Sequence, residues 1–276
     1  MSFLLALLAQ VGPFGTASPQ PVSPLPPEIT ERKAPPKPKA EPVEKTSEFD
    51  RCLADLKSDP EGVAVRASEW VDKALGLEKA QAGHCLGLAL ARLEFWPEAE
   101  AAFLAARDAL GDEVPDYRAR LGSMAGNAAM AHGDADAALA ALDTAHTDAQ
   151  KAKSAGLTGS IAMDRARALV ALGRDEDAEA ALAEARKADP GDAQVWLLSA
   201  TLSRRMGKLA EAQAQIEKAA DLLPVDTQIG LEAGRIAVLA GRDEAARKSW
   251  QSVIDAAPES QAADTARSYL AQLEKP

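Results

Sequence analysis

GRDEDAEAALAEARKADPGDAQVWLLSATLSRRM (173–206), GKLAEAQAQIEKAADLLPVDTQIGLEAGRIAVLA (207–240) and GRDEAARKSWQSVIDAAP (241–258) are consecutive stretches of one chain, broken here at a repeating glycine. Gly173, Gly207 and Gly241 stand 34 residues apart, as do Ala178, Ala212 and Ala246, and Pro190, Pro224 and Pro258. A constant period of this size marks a solenoid, in which each unit buries its apolar face by stacking on its neighbours.

Ala193 to Asp226 shows the physics of one period. Ala193 to Met206 reads as a helix with Trp196, Leu197 and Ala200 on an apolar stripe. Gly207 ends it, because glycine adopts the left-handed conformation at little steric cost. Leu209 to Leu223 reads as a second helix with Ala212, Ile216 and Ala219 on one face. Pro224 stops it, and Asp226 is placed to cap the next helix. The unit is thus an antiparallel helical hairpin. Small residues at Ala200 and Ala212 let the axes approach, and Ala166 with Ala178 and Gly234 with Ala246 repeat the arrangement. Trp196 and Trp250 are expected to fill wider gaps between hairpins.

These marks resemble the tetratricopeptide repeat (TPR) pattern of Trp, Leu-Gly and Tyr, then Ala, an aromatic, Ala and Pro. Trp196, Ala200, Ala212, Ala219 and Pro224 match, with Gly207 at the turn; Gly234, Ala246, Trp250 and Pro258 match in the next unit. Aromatic residues are 4 % of the chain, so Leu, Ile and Ala take many of the large positions. The resemblance covers roughly residues 80 to 260. It implies an all-α, right-handed solenoid of helix pairs and a protein-binding role.

Working outward, residues 80–113, 119–156, 159–192, 193–226 and 227–260 read as repeats. Gly87, Ala99, Phe103 and Ala106 mark the first of these, where Glu94 stands in place of the turn glycine. Gly133 to Gly173 is a step of 40 rather than 34 residues, predicting a longer second helix or loop near His146 to Thr158. Residues 47–79 read as a degenerate capping hairpin with Phe49, Leu53, Leu56, Val65, Trp70 and Val71 inward. Residues 261–274 read as a closing helix with Ala263, Ala266, Leu270 and Leu273 inward.

Residues 1–17 read as a short signal peptide: Phe3 to Val11 is an almost unbroken apolar run, and Gly15-Thr16-Ala17 suits a signal peptidase, although no Lys or Arg precedes the run. The run is too short for a membrane span, which needs about 20 apolar residues. Residues 18–46 hold nine of the chain's 17 prolines and read as a disordered spacer reaching on the order of 90 Å when extended.

The net charge is −11 with a pI near 4.9. That argues against nucleic acid and against anionic membrane surfaces. His84, His132 and His146 are dispersed, no catalytic or nucleotide motif appears, and the acidic runs sit at helix starts where they suit the helix dipole. We therefore expect no enzyme, no cofactor and no metal site. Cys52 and Cys85 fall nearly one period apart, on first helices of adjacent hairpins. A disulfide clamping the cap to the array and a pair of buried free thiols are both open.

The resemblance also implies a groove lined by the first helices. Carrying its positions over gives Arg92, Arg120, Asn127, Met163, Arg167, Arg204, Arg205 and Arg235, flanked by Met130, Gln194 and Gln228. Arginine holds carboxylates in bidentate fashion, so an acidic or C-terminal segment of another protein is the expected ligand. The alternative is that these arginines pair with Asp or Glu of neighbouring helices. The resulting expectation is a non-catalytic interaction scaffold of the periplasm or cell envelope. A cytosolic adaptor, a regulatory subunit and a cell-wall glycan binder are the alternatives, the last disfavoured by scarce aromatics.

Overall fold

The computed structural model describes residues 47–274; the expected signal peptide and Pro-rich spacer lie outside them. Among the described residues there are thirteen helices and no strand. They are α1 (Glu48–Asp55), α2 (Pro60–Lys73), α3 (Gly76–Arg92), α4 (Trp96–Asp108), α5 (Pro115–Ala131), α6 (Ala135–Lys151) and α7 (Ala155–Ala171). There follow α8 (Asp175–Ala188), α9 (Ala193–Arg205), α10 (Leu209–Leu222), α11 (Thr227–Leu239), α12 (Asp243–Ala256) and α13 (Gln261–Leu273). From α3 onward each odd-numbered helix pairs with the even-numbered one that follows, α2 packs chiefly on α3, and α13 closes the array.

The turn within each hairpin from α3 onward is built the same way. Glu94, Gly133, Gly173, Gly207 and Gly241 all have positive φ, from 63° to 89°. The next residue donates its N–H to a carbonyl five back, as Arg174 does to Leu169 at 2.9 Å and Lys208 to Ser203 at 2.8 Å. This is the bond that satisfies the orphan carbonyls of a helix end. Helix starts are capped by Ser47, Asp59, Asp134, Asp192, Asp226 and Ser260, whose side chains accept from backbone N–H groups.

The 40-residue step has a definite cause. Helices α6 and α7, which lie between Gly133 and Gly173, run 17 residues each, against 14 for α8 and 13 for α9. The connection between α6 and α7 is not lengthened: it is Ala152 to Ser154, with Lys153 at φ 54°. The first helix of the second repeat opens at Pro115, four residues before the expected unit boundary at Ala119.

Packing inside a hairpin rests on small residues of the second helix and on volume exchange with the first. Ala99, Ala138, Ala178, Ala212 and Ala246 are each 0 % exposed. Gly87, Gly126, Ala166, Ala200 and Gly234 hold one register on the first helices, opposite Phe103, Leu142, Leu182, Ile216 and Trp250. The largest partners meet glycine. A Cβ built on Gly87 would stand 2.5 Å from the Phe103 ring, and one on Gly234 would stand 2.0 Å from Trp250 Nε1. The side chain nearest Gly234 is that of Trp250 in its own hairpin, and Trp250 also packs on Tyr269 of the closing helix with centroids 5.0 Å apart, filling space toward the next unit as expected. Trp196 does reach the preceding hairpin, donating to the Pro190 carbonyl at 3.0 Å with the Arg186 guanidinium 5.4 Å from its ring.

The capping hairpin departs from expectation at two positions. Leu53 and Val65 are exposed, at 44 % and 62 %, while Cys52, Val63 and Ala67 are buried. The helices turn their small residues toward α3, because close approach needs small side chains there. In the closing helix Ala263 and Ala266 are fully buried, and Leu270 and Leu273 only partly.

Contacts between non-consecutive helices join first helices to first helices: α1 to α3, α5 to α7, α9 to α11, and α11 to α13. The odd-numbered helices therefore form an inner layer and the even-numbered ones an outer layer. Toward the outer side Asp148 of α6, 2 % exposed, receives Arg107 of α4 at 3.0 Å and Arg118 of α5 at 3.4 Å. One buried carboxylate thus ties three helices.

Candidate partner groove

The inner layer carries the residues expected to line a groove, and most of its arginines are already paired. Asp164 and Glu232 do the pairing. They share one register position two periods apart on α7 and α11, and both are buried, at 8 % and 4 %. Asp164 holds Arg167 at 2.6 Å, accepts from Asn127 of α5 at 3.2 Å, and takes a long bond from Ser123. Glu232 holds Arg204 of α9 at 2.5 Å and Arg235 at 3.5 Å. Each acid therefore joins an arginine of its own helix to the neighbouring first helix, and fixes how adjacent hairpins stack.

Arg235 is further engaged by Tyr269 of the closing helix, whose hydroxyl accepts from its Nε at 3.1 Å and whose ring lies 5.2 Å from its Cζ. That hydrogen bond, reinforced by Glu232, raises the guanidinium's affinity for its proton. Arg120 pairs on its own helix with Asp116 at 2.9 Å, and Arg205 leans toward Asp175 of α8 at 3.7 Å. Arg92 is exposed and has no ion pair or hydrogen bond among the described residues. Met130 and Met163 are partly buried against the central core, so they brace helices rather than project freely. Gln194 and Gln228 are exposed.

Two clefts open along this layer. One, of about 160 Å³, lies between α7 and α9; Val170, Leu198 and Leu202 contribute its apolar wall, and Arg167 and Arg205 its rim. The other, of about 360 Å³, lies where α9, α11 and α13 meet, with Trp250, Val238 and Leu239 below and Arg204, Arg235 and Tyr269 around. Leu239 is 56 % exposed there. The sequence reading missed Asp164, Glu232 and Tyr269. Their signal was present: an acid three residues before an arginine recurs at one register, and Tyr269 follows Arg235 by 34 residues.

At the other end, Cys52 and Cys85 are joined by a disulfide with Cα atoms 6.1 Å apart. Beside it His84 lies among Phe49, Phe103 and Tyr117, with ring centroids 5.1 to 6.2 Å away. Burial lowers its pKa to about 4 and raises that of Tyr117 to about 12. The Nδ1 of His84 lies 3.1 Å from the Tyr117 hydroxyl, while its Nε2 is buried without a partner. No group of three potential metal ligands occurs among the described residues.

Two models of the tetratricopeptide repeat match, over residues 160–202 and 197–262. The chain carries tetratricopeptide repeats. Its fold is that of solved TPR solenoids. PilF of Pseudomonas aeruginosa is similar at a TM-score of 0.61 and 14 % identity, over 80 % of this chain and 95 % of that one. BtubC of P. vanneervenii aligns at 0.59 and 16 %, over 76 % and 91 %. YrrB, described as a TPR protein with an unusual peptide-binding site, aligns at 0.54 and 18 %, over 74 % and 99 %. No curated protein matches the sequence. TPR arrays are protein-interaction scaffolds, and this chain has that architecture. No helix among the described residues is long and apolar enough to cross a membrane.

Proposed function

We propose that this TPR array is a non-catalytic scaffold whose inner layer binds a segment of another protein in the periplasm or cell envelope. The observation that carries the reading is the pair of apolar clefts along the odd-numbered helices, each rimmed by arginines. Apolar side chains of the partner seat in the clefts, and burial of those side chains supplies most of the affinity. The half-exposed Arg167, Arg205 and Arg235, together with Arg92, suit carboxylates on an acidic segment. Because Asp164 and Glu232 already hold several of these arginines, charge orients the segment more than it binds it. The envelope assignment draws support from the apolar Phe3–Val11 run and from the Cys52–Cys85 disulfide, since disulfides persist in oxidising compartments.

The test is a crosslinking capture from the native host using the whole chain with a C-terminal tag, compared with Leu239→Glu and with an Arg167→Glu/Arg205→Glu double variant. Circular dichroism first confirms that each variant is folded. An envelope protein recovered by the parent chain and lost with Leu239→Glu supports the reading. Equal recovery by all three forms places binding outside the groove, and recovery of cytosolic proteins alone overturns the compartment.

A further inference from the structure

Helix α1 is the least anchored element of the array. It is eight residues long, and Cys52 is its one buried residue. Isolated helices shorter than about 12–15 residues are marginal in water, so α1 depends on what ties it down. Phe49 and Leu56 are only partly buried, and Leu53 is 44 % exposed. The covalent tie runs from Cys52 to Cys85 of α3, 33 residues on. Both cysteines line an open cleft of about 320 Å³ walled by α1 and α2, with Val63 and Ala67 inside and Trp70 and Arg66 beside them. Cys52 is the more exposed of the two, at 7 % against 2 %.

We infer that Cys52–Cys85 is a thiol–disulfide exchange site, reached through this cleft by a dithiol reductant, and that its reduction releases α1 from the array. One thiolate of the dithiol attacks Cys52 Sγ. The Sγ–Sγ bond breaks, its electron pair leaves on Cys85 Sγ, and that thiolate takes a proton from solvent. The second thiol of the reductant, deprotonated, then closes on the first sulfur and displaces Cys52, which is protonated in turn. Two electrons pass to the protein, and the dithiol departs as its cyclic disulfide.

Release follows from how the neighbouring core is built. Val63, Ala67 and Ala89 come from α2 and α3, which contact each other far more extensively than either contacts α1. What α1 adds besides Cys52 is Phe49, whose ring lies 5.1 Å from that of His84, and the partly buried Leu56. Loss of the bond leaves one tilted aromatic contact, the partly buried Leu56 and the exposed Asp55–Arg66 pair at 2.9 Å to hold an eight-residue helix. The inference does not depend on the groove reading, because α1 lies at the opposite end from the cleft around Trp250.

The experiment treats the whole chain with dithiothreitol in native buffer, follows thiols by alkylation, and measures hydrogen exchange by mass spectrometry before and after. We expect complete reduction without denaturant. Exchange in residues 48–58 then rises at least about tenfold, with peptides from α4 to α13 unchanged, and a Cys52→Ser/Cys85→Ser variant shows the same pattern without reductant. Reduction that requires denaturant overturns the exchange site. Unchanged protection of α1 after reduction overturns the release, as does simultaneous loss of protection through α5, which would make the bond a staple of the whole array.

Discussion

Replacing Gly234 by alanine probes the volume exchange that holds each hairpin together. The new Cβ would stand 2.0 Å from Trp250 Nε1 and 2.4 Å from its Cε2. The indole has little room to retreat. Its N–H donates to the Leu231 carbonyl at 3.2 Å, and its ring packs on Tyr269 with centroids 5.0 Å apart. Overpacking of this kind costs roughly 1–3 kcal/mol. Alanine is the better residue for a helix interior, which offsets about 0.5–1 kcal/mol. The net loss of about 1–2 kcal/mol lowers Tm by roughly 2–8 °C in a chain of this size. Trp250→Ile alone leaves a void beside Gly234 and costs roughly 2–3 kcal/mol. The double variant Gly234→Ala/Trp250→Ile recreates the Ala200–Ile216 pair of the preceding hairpin, so it should cost less than the sum by at least about 1 kcal/mol. Thermal unfolding followed by circular dichroism reads all three. A higher Tm for Gly234→Ala, or strict additivity in the double variant, would refute the reasoning.

Other outcomes follow from the same structure. Asp148→Ala strands Arg107 and Arg118 in a buried site and should destabilise by roughly 3–5 kcal/mol in urea unfolding, far more than Asp116→Ala at the exposed pair with Arg120. His84 carries a depressed pKa of about 4 against 6.5 for an unperturbed imidazole. The unfolded chain therefore takes up a proton first, so stability is full above pH 6.5 and declines toward pH 4. The loss is roughly 2 kcal/mol after discounting for partial exposure, and His84→Leu should flatten that part of the Tm–pH profile. Gly207 and Glu94 occupy equivalent turns with φ of 75° and 63°. Gly207→Ala should cost about 1–2 kcal/mol from backbone strain alone, whereas Glu94→Gly should be neutral or stabilising by up to about 1 kcal/mol; opposite signs in differential scanning calorimetry would contradict the turn assignment.

Much of the repeat architecture was legible because its marks are local. A glycine that must take positive φ, a proline that cannot continue a helix and a capping aspartate act within a few residues. Gly173, Gly207 and Gly241 therefore set the register without reference to anything distant. The same local logic identified Glu94 as a turn residue despite its side chain. It failed where the answer depends on how two helices cross. Distance from the turn placed Gly234 near Ala246 but did not reveal that the crossing also lays it against the Trp250 indole. Val65 looked inward by composition, but the approach of α2 to α3 requires the small face of Val63 and Ala67.

The candidate groove divides in the same way. Which residues lie on the first helices follows from the period, so Arg167, Arg204 and Arg235 could be placed on one layer in advance. That Asp164 and Glu232 clasp those arginines across hairpins, and that Tyr269 stacks on Arg235, depends on contacts between helices a full period apart. By itself the sequence determined the helices, their turns and their period, because these arise from backbone conformation and short-range hydrogen bonding. Only the tertiary structure decided which side chains meet between hairpins, which charges are already satisfied and where the clefts open, because those depend on the stacking of one unit on the next.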